Sequence, residues 1–72
     1  MSIVDETGLS ERLERAADPT TPQWHLAELA DAHDSGVRIA VASNPSASRT
    51  TLQRLEHDAD AAVRAALTKR LG

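Results

Sequence analysis

Cysteine, phenylalanine and tyrosine do not occur in these 72 residues; Trp24 is the lone aromatic, and glycine and proline number three each. Without a thiol there is no disulfide framework, no thiolate zinc site, no Cys-ligated iron–sulfur cluster and no Cys nucleophile. No apolar run approaches the roughly 18 to 20 residues that a bilayer span needs. The first residues (Met1, Ser2, Ile3, Val4, Asp5, Glu6) lack the basic and apolar regions of a signal peptide. The cytosol is the default compartment. The length suits one domain that buries about 60% of its unfolded surface, which excludes a two-domain enzyme with a deep cleft between its halves.

What is there is 40% hydrophobic and 26% charged, with a net charge of −3, the balance of a soluble globular chain. The charge is divided. Residues 1–36 carry eight acids and two bases, residues 37–72 three acids and six bases. Such a dipole orients an encounter with a charged partner or favours head-to-tail self-association, over a range of about 8 Å at cellular salt.

Sliding the sequence against itself by 26 positions aligns Pro19 with Pro45, Thr20 with Ser46, Leu26 with Leu52, Leu29 with Leu55, Asp34 with Asp60, Val37 with Val63, Arg38 with Arg64 and Ala40 with Ala66. A fixed period of this size signals a solenoid whose units bury their apolar faces against one another. Two short helices are legible in each unit. The first opens at Thr21 as N-cap with Pro22 at the first helical position and runs to about Asp31; its copy runs from Ser48 to about His57. The second begins near Asp34 and sets Val37, Ala40 and Val41 on one side, and its copy begins near Asp60 and carries Val63, Ala66, Leu67 and Leu71. Pro45 ends the first of these two. A further helix, from Ser10 to about Ala17, stands where a half unit would cap the array, with Glu11 and Glu14 outside. The 26-residue offset pairs Arg12 with Arg38 but sets those two glutamates against Val37 and Ala40, so the apolar stripe of Leu9, Leu13 and Ala16 is the better guide to its packing. The expectation is all-α: a short α-solenoid of about two and a half helix-turn-helix repeats, five short helices. It divides into a flexible N-terminus (1–8), a capping helix (9–18), repeat 1 (19–44) and repeat 2 (45–71).

The run from Val37 to Ser46, followed by Leu52, Leu55, Asp58, Asp60 and Val63-Arg64, resembles the leucine-rich repeat variant family. Its units read roughly Leu-x-x-Leu-x-x-Asp-x-Asp-x-x-Val-Arg-x-x-Val-Ala-x-Asn-Pro, and the resemblance covers about residues 18–71. It implies pairs of short helices, one often 3₁₀-like, stacked in a right-handed superhelix without strands. Two departures stand out. Ala32 occupies the place of the first Asp, and Lys69-Arg70-Leu71 replaces x-Asn-Pro, a sign that the array stops there. Some members carry a cysteine-bound iron–sulfur domain, of which nothing transfers to a chain without cysteine.

Arg38 and Arg64 recur at one point of the unit, so they project from the same edge as a ladder suited to carboxylates or phosphates. The competing expectation is that Asp34 and Asp60, four residues earlier, pair with them in the favourable acid-before-base order. His25, His33 and His57 each lie near a carboxylate, yet no ligand frame joins them. Ser46, Ser48, Thr50 and Thr51 suit turns and caps, and neither a Gly-x-Ser-x-Gly elbow nor a phosphate-cradling glycine loop appears. No catalysis, cofactor or metal is expected. Trp24 has Thr50 as its repeat copy, which places it outside the repeated core: either a hot spot for a partner or a cover over the capping helix.

The reading is a non-catalytic module or small adaptor that binds another protein of unknown identity, with Trp24, Arg38, Arg64, Lys69 and Arg70 as partner-binding residues. A homo-oligomer through the solenoid ends is a further option. The alternative is nucleic-acid binding along Arg38, Arg49, Arg54, Arg64, Lys69 and Arg70, against which stand overall acidity and a basic half without a stacking aromatic. A purely structural subunit is the remaining class. Ala-, Arg- and Asp-rich usage with few lysines points to a GC-rich bacterial or phage genome.

Overall fold

The structure is a computed structural model that describes the backbone of residues 3–71 and the side chains of residues 8–70. The described residues form five helices and no strand: α1 (Ile3–Ala17), α2 (Gln23–Leu29), α3 (Ser35–Ser43), α4 (Arg49–Leu55) and α5 (Ala61–Leu71). The helix expected from Ser10 thus starts seven residues earlier, inside the stretch read as a flexible N-terminus. Gly8, the weakest helix former in that stretch, costs about 1 kcal/mol relative to alanine and does not stop it. Met1, Ser2 and Gly72 lie outside the described residues, as does the Leu71 side chain assigned to the apolar stripe.

Helix starts follow the local chemistry. Asp34 caps α3 by accepting the Gly36 N–H at 2.7 Å, and Asp60 repeats the device with the Ala62 N–H at 2.8 Å. A Cβ on Gly36 would stand 3.0 Å from the capping carboxylate, yet Ala62 holds the equivalent place under the Asp60 cap, so the cap does not depend on glycine. Ser48 caps α4 through the Thr51 N–H. At α2 the cap falls one residue later than the sequence suggested. Pro22 is the N-cap and provides no side-chain bond, while the Thr21 hydroxyl donates to the Arg15 carbonyl at 2.6 Å. Thr21 is therefore a tie between α1 and the loop rather than a helix cap. Asn44 ends α3 ahead of Pro45.

The longer helices α1, α3 and α5 form one layer with α3 in the middle, packed against both of the others; the two seven-residue helices α2 and α4 pack across them. The core lies between the layers and consists of small or branched side chains, chiefly Ala16, Leu26, Leu29, Val37, Val41, Ala42, Leu55, Val63, Ala66 and Leu67. With no Phe or Tyr to fill space, close packing requires the helices to approach on alanine and valine. The 26-residue register extends into α1, since Ala16 and Ala42 are both fully buried at equivalent places.

Candidate functional site

The seam between the two units is built by Arg38. Its Nε donates to Asp58 Oδ2 at 2.7 Å and its Nη2 to Asp58 Oδ1 at 3.3 Å, while Nη1 donates to the carbonyls of Ala32 at 2.7 Å and His33 at 2.9 Å. Four of five N–H groups are used, and they join the turn after α2, the middle of α3 and the turn before α5. The expected pairing of Arg38 with Asp34 does not form, because the Asp34 carboxylate is turned back onto its own helix start. The Asp58 carboxyl is lowered from its ordinary value, first by the Arg38 guanidinium and then by the Asp60 N–H, against the opposing effect of burial. The guanidinium of Arg38 is correspondingly raised by Asp58.

Arg64 keeps half of this arrangement. Its Nη1 donates to the Asp58 carbonyl, six residues back as Ala32 is from Arg38. Asp60 does not pair with it but caps α5. The edge of Arg64 that corresponds to the carboxylate-binding edge of Arg38 has no partner among the described residues.

A second ladder runs beside the first. The Asn44 amide nitrogen donates to the carbonyls of Ala16 and Asp18, both at 2.9 Å, and its oxygen accepts the Ser46 N–H at 2.8 Å. One unit later, Arg70 Nη1 donates to the equivalent carbonyls, Ala42 at 3.0 Å and Asn44 at 2.6 Å. Arg70 thus does for repeat 2 what the Asn of the Asn-Pro pair does for repeat 1. Asp18 occupies the same place in the half unit and folds onto itself: its Oδ1 accepts the Thr20 N–H and hydroxyl, both at 2.8 Å, and the N–H first, then the hydroxyl, lower its pKa.

Of the other residues singled out in the sequence, Lys69 is exposed and Trp24 is 66% exposed, its indole stacked on the His25 ring with centroids 5.1 Å apart. Trp24 is remote in sequence from the arginines and lines no groove with them. Arg54 is engaged with Asp31 across the units. An open groove of about 660 Å³ between α4 and α5 is lined by Arg49, Leu52, Glu56, Arg64, Leu67 and Arg70, together with Gln53 and Thr68. No group of three His or acidic side chains among the described residues could hold a metal, and no helix there is long and apolar enough to cross a membrane. Sequence reasoning missed two functional relationships, Asp58 as the partner of Arg38 and Arg70 as the stand-in for Asn. Neither had a local signal: Asp34 stands nearer to Arg38 in the chain than Asp58 does, and a charge in the last helix reads as solvent-facing until the packing shows the carbonyls of the preceding unit.

Five helices in register at 26 residues, bonded unit to unit through side chains at fixed repeat positions, define a short helical-repeat solenoid. The chain belongs to the leucine-rich repeat variant domain family, whose model matches residues 10–71. No curated protein matches the chain, and no solved structure does.

Proposed function

We propose that the chain is a non-catalytic protein–protein interaction module, a small adaptor that binds another protein through its helical-repeat surface. Domains of this repeat family are in general protein-interaction modules. The observation that carries the reading is Trp24, 66% exposed in a fold where every other described large apolar residue is buried or half-buried. Exposed tryptophan is a frequent hot spot in protein interfaces, because it supplies much contact area at little entropic cost. Arg64 and Lys69 offer charged contacts, whereas Arg38 and, in part, Arg70 support the surface from within.

The nucleic-acid reading is less favoured. Of six basic residues in its stripe, Arg38 and Arg54 are paired with carboxylates and Arg70 is partly held by carbonyls, which leaves a sparse positive surface. The cytosol is the compartment that fits a cysteine-free chain, and its composition suits a GC-rich bacterium or phage.

The test is capture from the native cell with the tagged chain, beside Trp24→Ala. A specific protein retained by the parent chain and lost with the variant, at unchanged far-UV circular dichroism, supports the module reading. Retention of nucleic acid instead, with a mobility shift that salt abolishes, overturns it.

A further inference from the structure

The groove between α4 and α5 is the open form of the seam that closes between the units. Shifted back by 26 residues, Leu52, Leu67, Thr68 and Arg70 become Leu26, Val41, Ala42 and Asn44, all of which are at most 1% exposed beneath repeat 2. Arg64 becomes Arg38, whose outer edge holds Asp58. The face of repeat 2 that looks away from repeat 1 therefore repeats a surface that this same chain already uses, with its arginine fork unfilled and Leu52 partly exposed.

The geometry points to an acidic helix start of a partner protein as the occupant of this groove, with one carboxylate taken by Arg64. The chain contains its own template for that ligand. In the segment that Arg38 receives, Asp58 gives both oxygens to the fork, Asp60 caps the helix that follows, and Val63 enters the core three residues later, fully buried. A partner segment of the same form, Asp-x-Asp and then an aliphatic residue, sets its first carboxylate on Arg64 and its aliphatic side chain against Leu52 and Leu67. Arg49, Arg64 and Arg70 around the groove outnumber Glu56, so the field favours an acidic ligand. A bidentate guanidinium–carboxylate pair adds directional selectivity that a lysine rim lacks.

A second copy of the chain does not meet this description. Stacked in register on repeat 2, its α1 would put Glu11 at the place of the fully buried Val63 and Glu14 at that of Ala66. Its Asp18, an acceptor only, would face the carbonyls to which Asn44 and Arg70 donate at the two earlier positions. Buried unpaired carboxylates at those points oppose the stack.

This inference rests on the chain being a protein-interaction module, and its test is independent of Trp24. A fluorescent synthetic peptide copying residues 56–70 is titrated against the full-length chain and followed by anisotropy. Binding is expected, and replacing the peptide's Asp58 by Asn, or Arg64 of the chain by Ala, weakens it by about tenfold or more. Combining the two changes costs little beyond either alone, as for groups that contact each other. Arg64→Lys, which retains the charge, is expected to resemble Arg64→Ala. The Arg64 Nε–H resonance of the labelled chain shifts on adding the parent peptide and not the Asn peptide. Equal binding of a scrambled peptide, indifference to Arg64, or a dimer of the chain that dissociates with Arg64→Glu overturns the proposal. If the peptide does not bind while Trp24-dependent capture persists, the groove proposal falls and the module reading stands.

Discussion

Arg38 and Asp58, twenty residues apart in the chain, form the one ion pair among the described residues in which both side chains are largely withdrawn from water, at 18% and 9% exposure. The pair crosses from α3 to the turn before α5, and the same guanidinium also ties down the two carbonyls that follow α2. One side chain thereby fixes the angle between successive units, a geometric role that burial of alanine and valine, being non-directional, cannot fill.

Arg38→Ala and Arg64→Ala are expected to differ sharply, although the two arginines are copies in sequence. Urea unfolding followed by circular dichroism should show a clear drop in midpoint for Arg38→Ala, which strands Asp58 and two carbonyls, and a small change for Arg64→Ala. Arg38→Lys should fall near Arg38→Ala, since an ammonium cannot bridge three separate acceptors from one planar fork. Equal midpoints for the two alanine variants would refute the clamp.

Acid should loosen the seam. Asp58 and Asp18 both have folded-state pKa values below their unfolded ones, lowered by the Arg38 guanidinium and by the Thr20 N–H respectively. A depressed carboxylate contributes stability that is fully present above its unfolded pKa of about 3.9 and is lost as pH falls through the folded value. Urea midpoints are therefore expected to be level between about pH 5 and 7 and to decline below about pH 4. Asp58→Asn should start lower at pH 7 and show a shallower decline. An identical acid slope in the variant would remove Asp58 from the account.

The helices were legible in the sequence because their signals are local: Ser48 at a helix start, Pro45 as a stop, and leucine and valine at helical spacing. The caps at Asp34 and Asp60 were not, since both acids were expected to pair with the arginines four residues on. The period of 26 made the stacking legible as well. The partner of Arg38 was not, because two acids compete for it, one four residues before and one twenty residues after. Only the packed geometry shows that the nearer acid is occupied by a backbone N–H. Arg70 was read as a contact residue for the same reason. Charge at the end of an array suggests solvent or a partner, and nothing local reveals that one nitrogen of the fork reaches two carbonyls of the preceding unit. The exposure of Trp24 could be anticipated from its unlike repeat copy, Thr50.

Asn44 offers the sharpest test of the second ladder. It is 1% exposed, its amide nitrogen serves two carbonyls of the preceding unit, and its oxygen holds the turn at Ser46. Asn44→Ala leaves buried acceptors and a donor unsatisfied and is expected to cost about 2–4 kcal/mol by urea unfolding. Asn44→Asp should cost more, since a carboxylate would meet two carbonyl oxygens without a donor to offer them. Were aspartate tolerated there as it is at position 18, the ladder would be ornamental.

Leu26 and Leu52 occupy the same repeat position but differ in what covers them: Leu26 is fully buried beneath the second unit, and Leu52 borders the open groove. Leu26→Ala removes a side chain that has no water to fall back on, at about 2–5 kcal/mol. A chain of this length has about 4–11 kcal/mol of stability in all, at roughly 0.05–0.15 kcal/mol per residue, so that variant is expected to be substantially unfolded at 37 °C. Leu52→Ala gives up only partial burial and should cost about 1 kcal/mol or less. Measured side by side by thermal unfolding, the two substitutions report directly whether one face of the repeat is closed and the other open. Comparable losses would mean that the groove between α4 and α5 is already filled in the isolated chain.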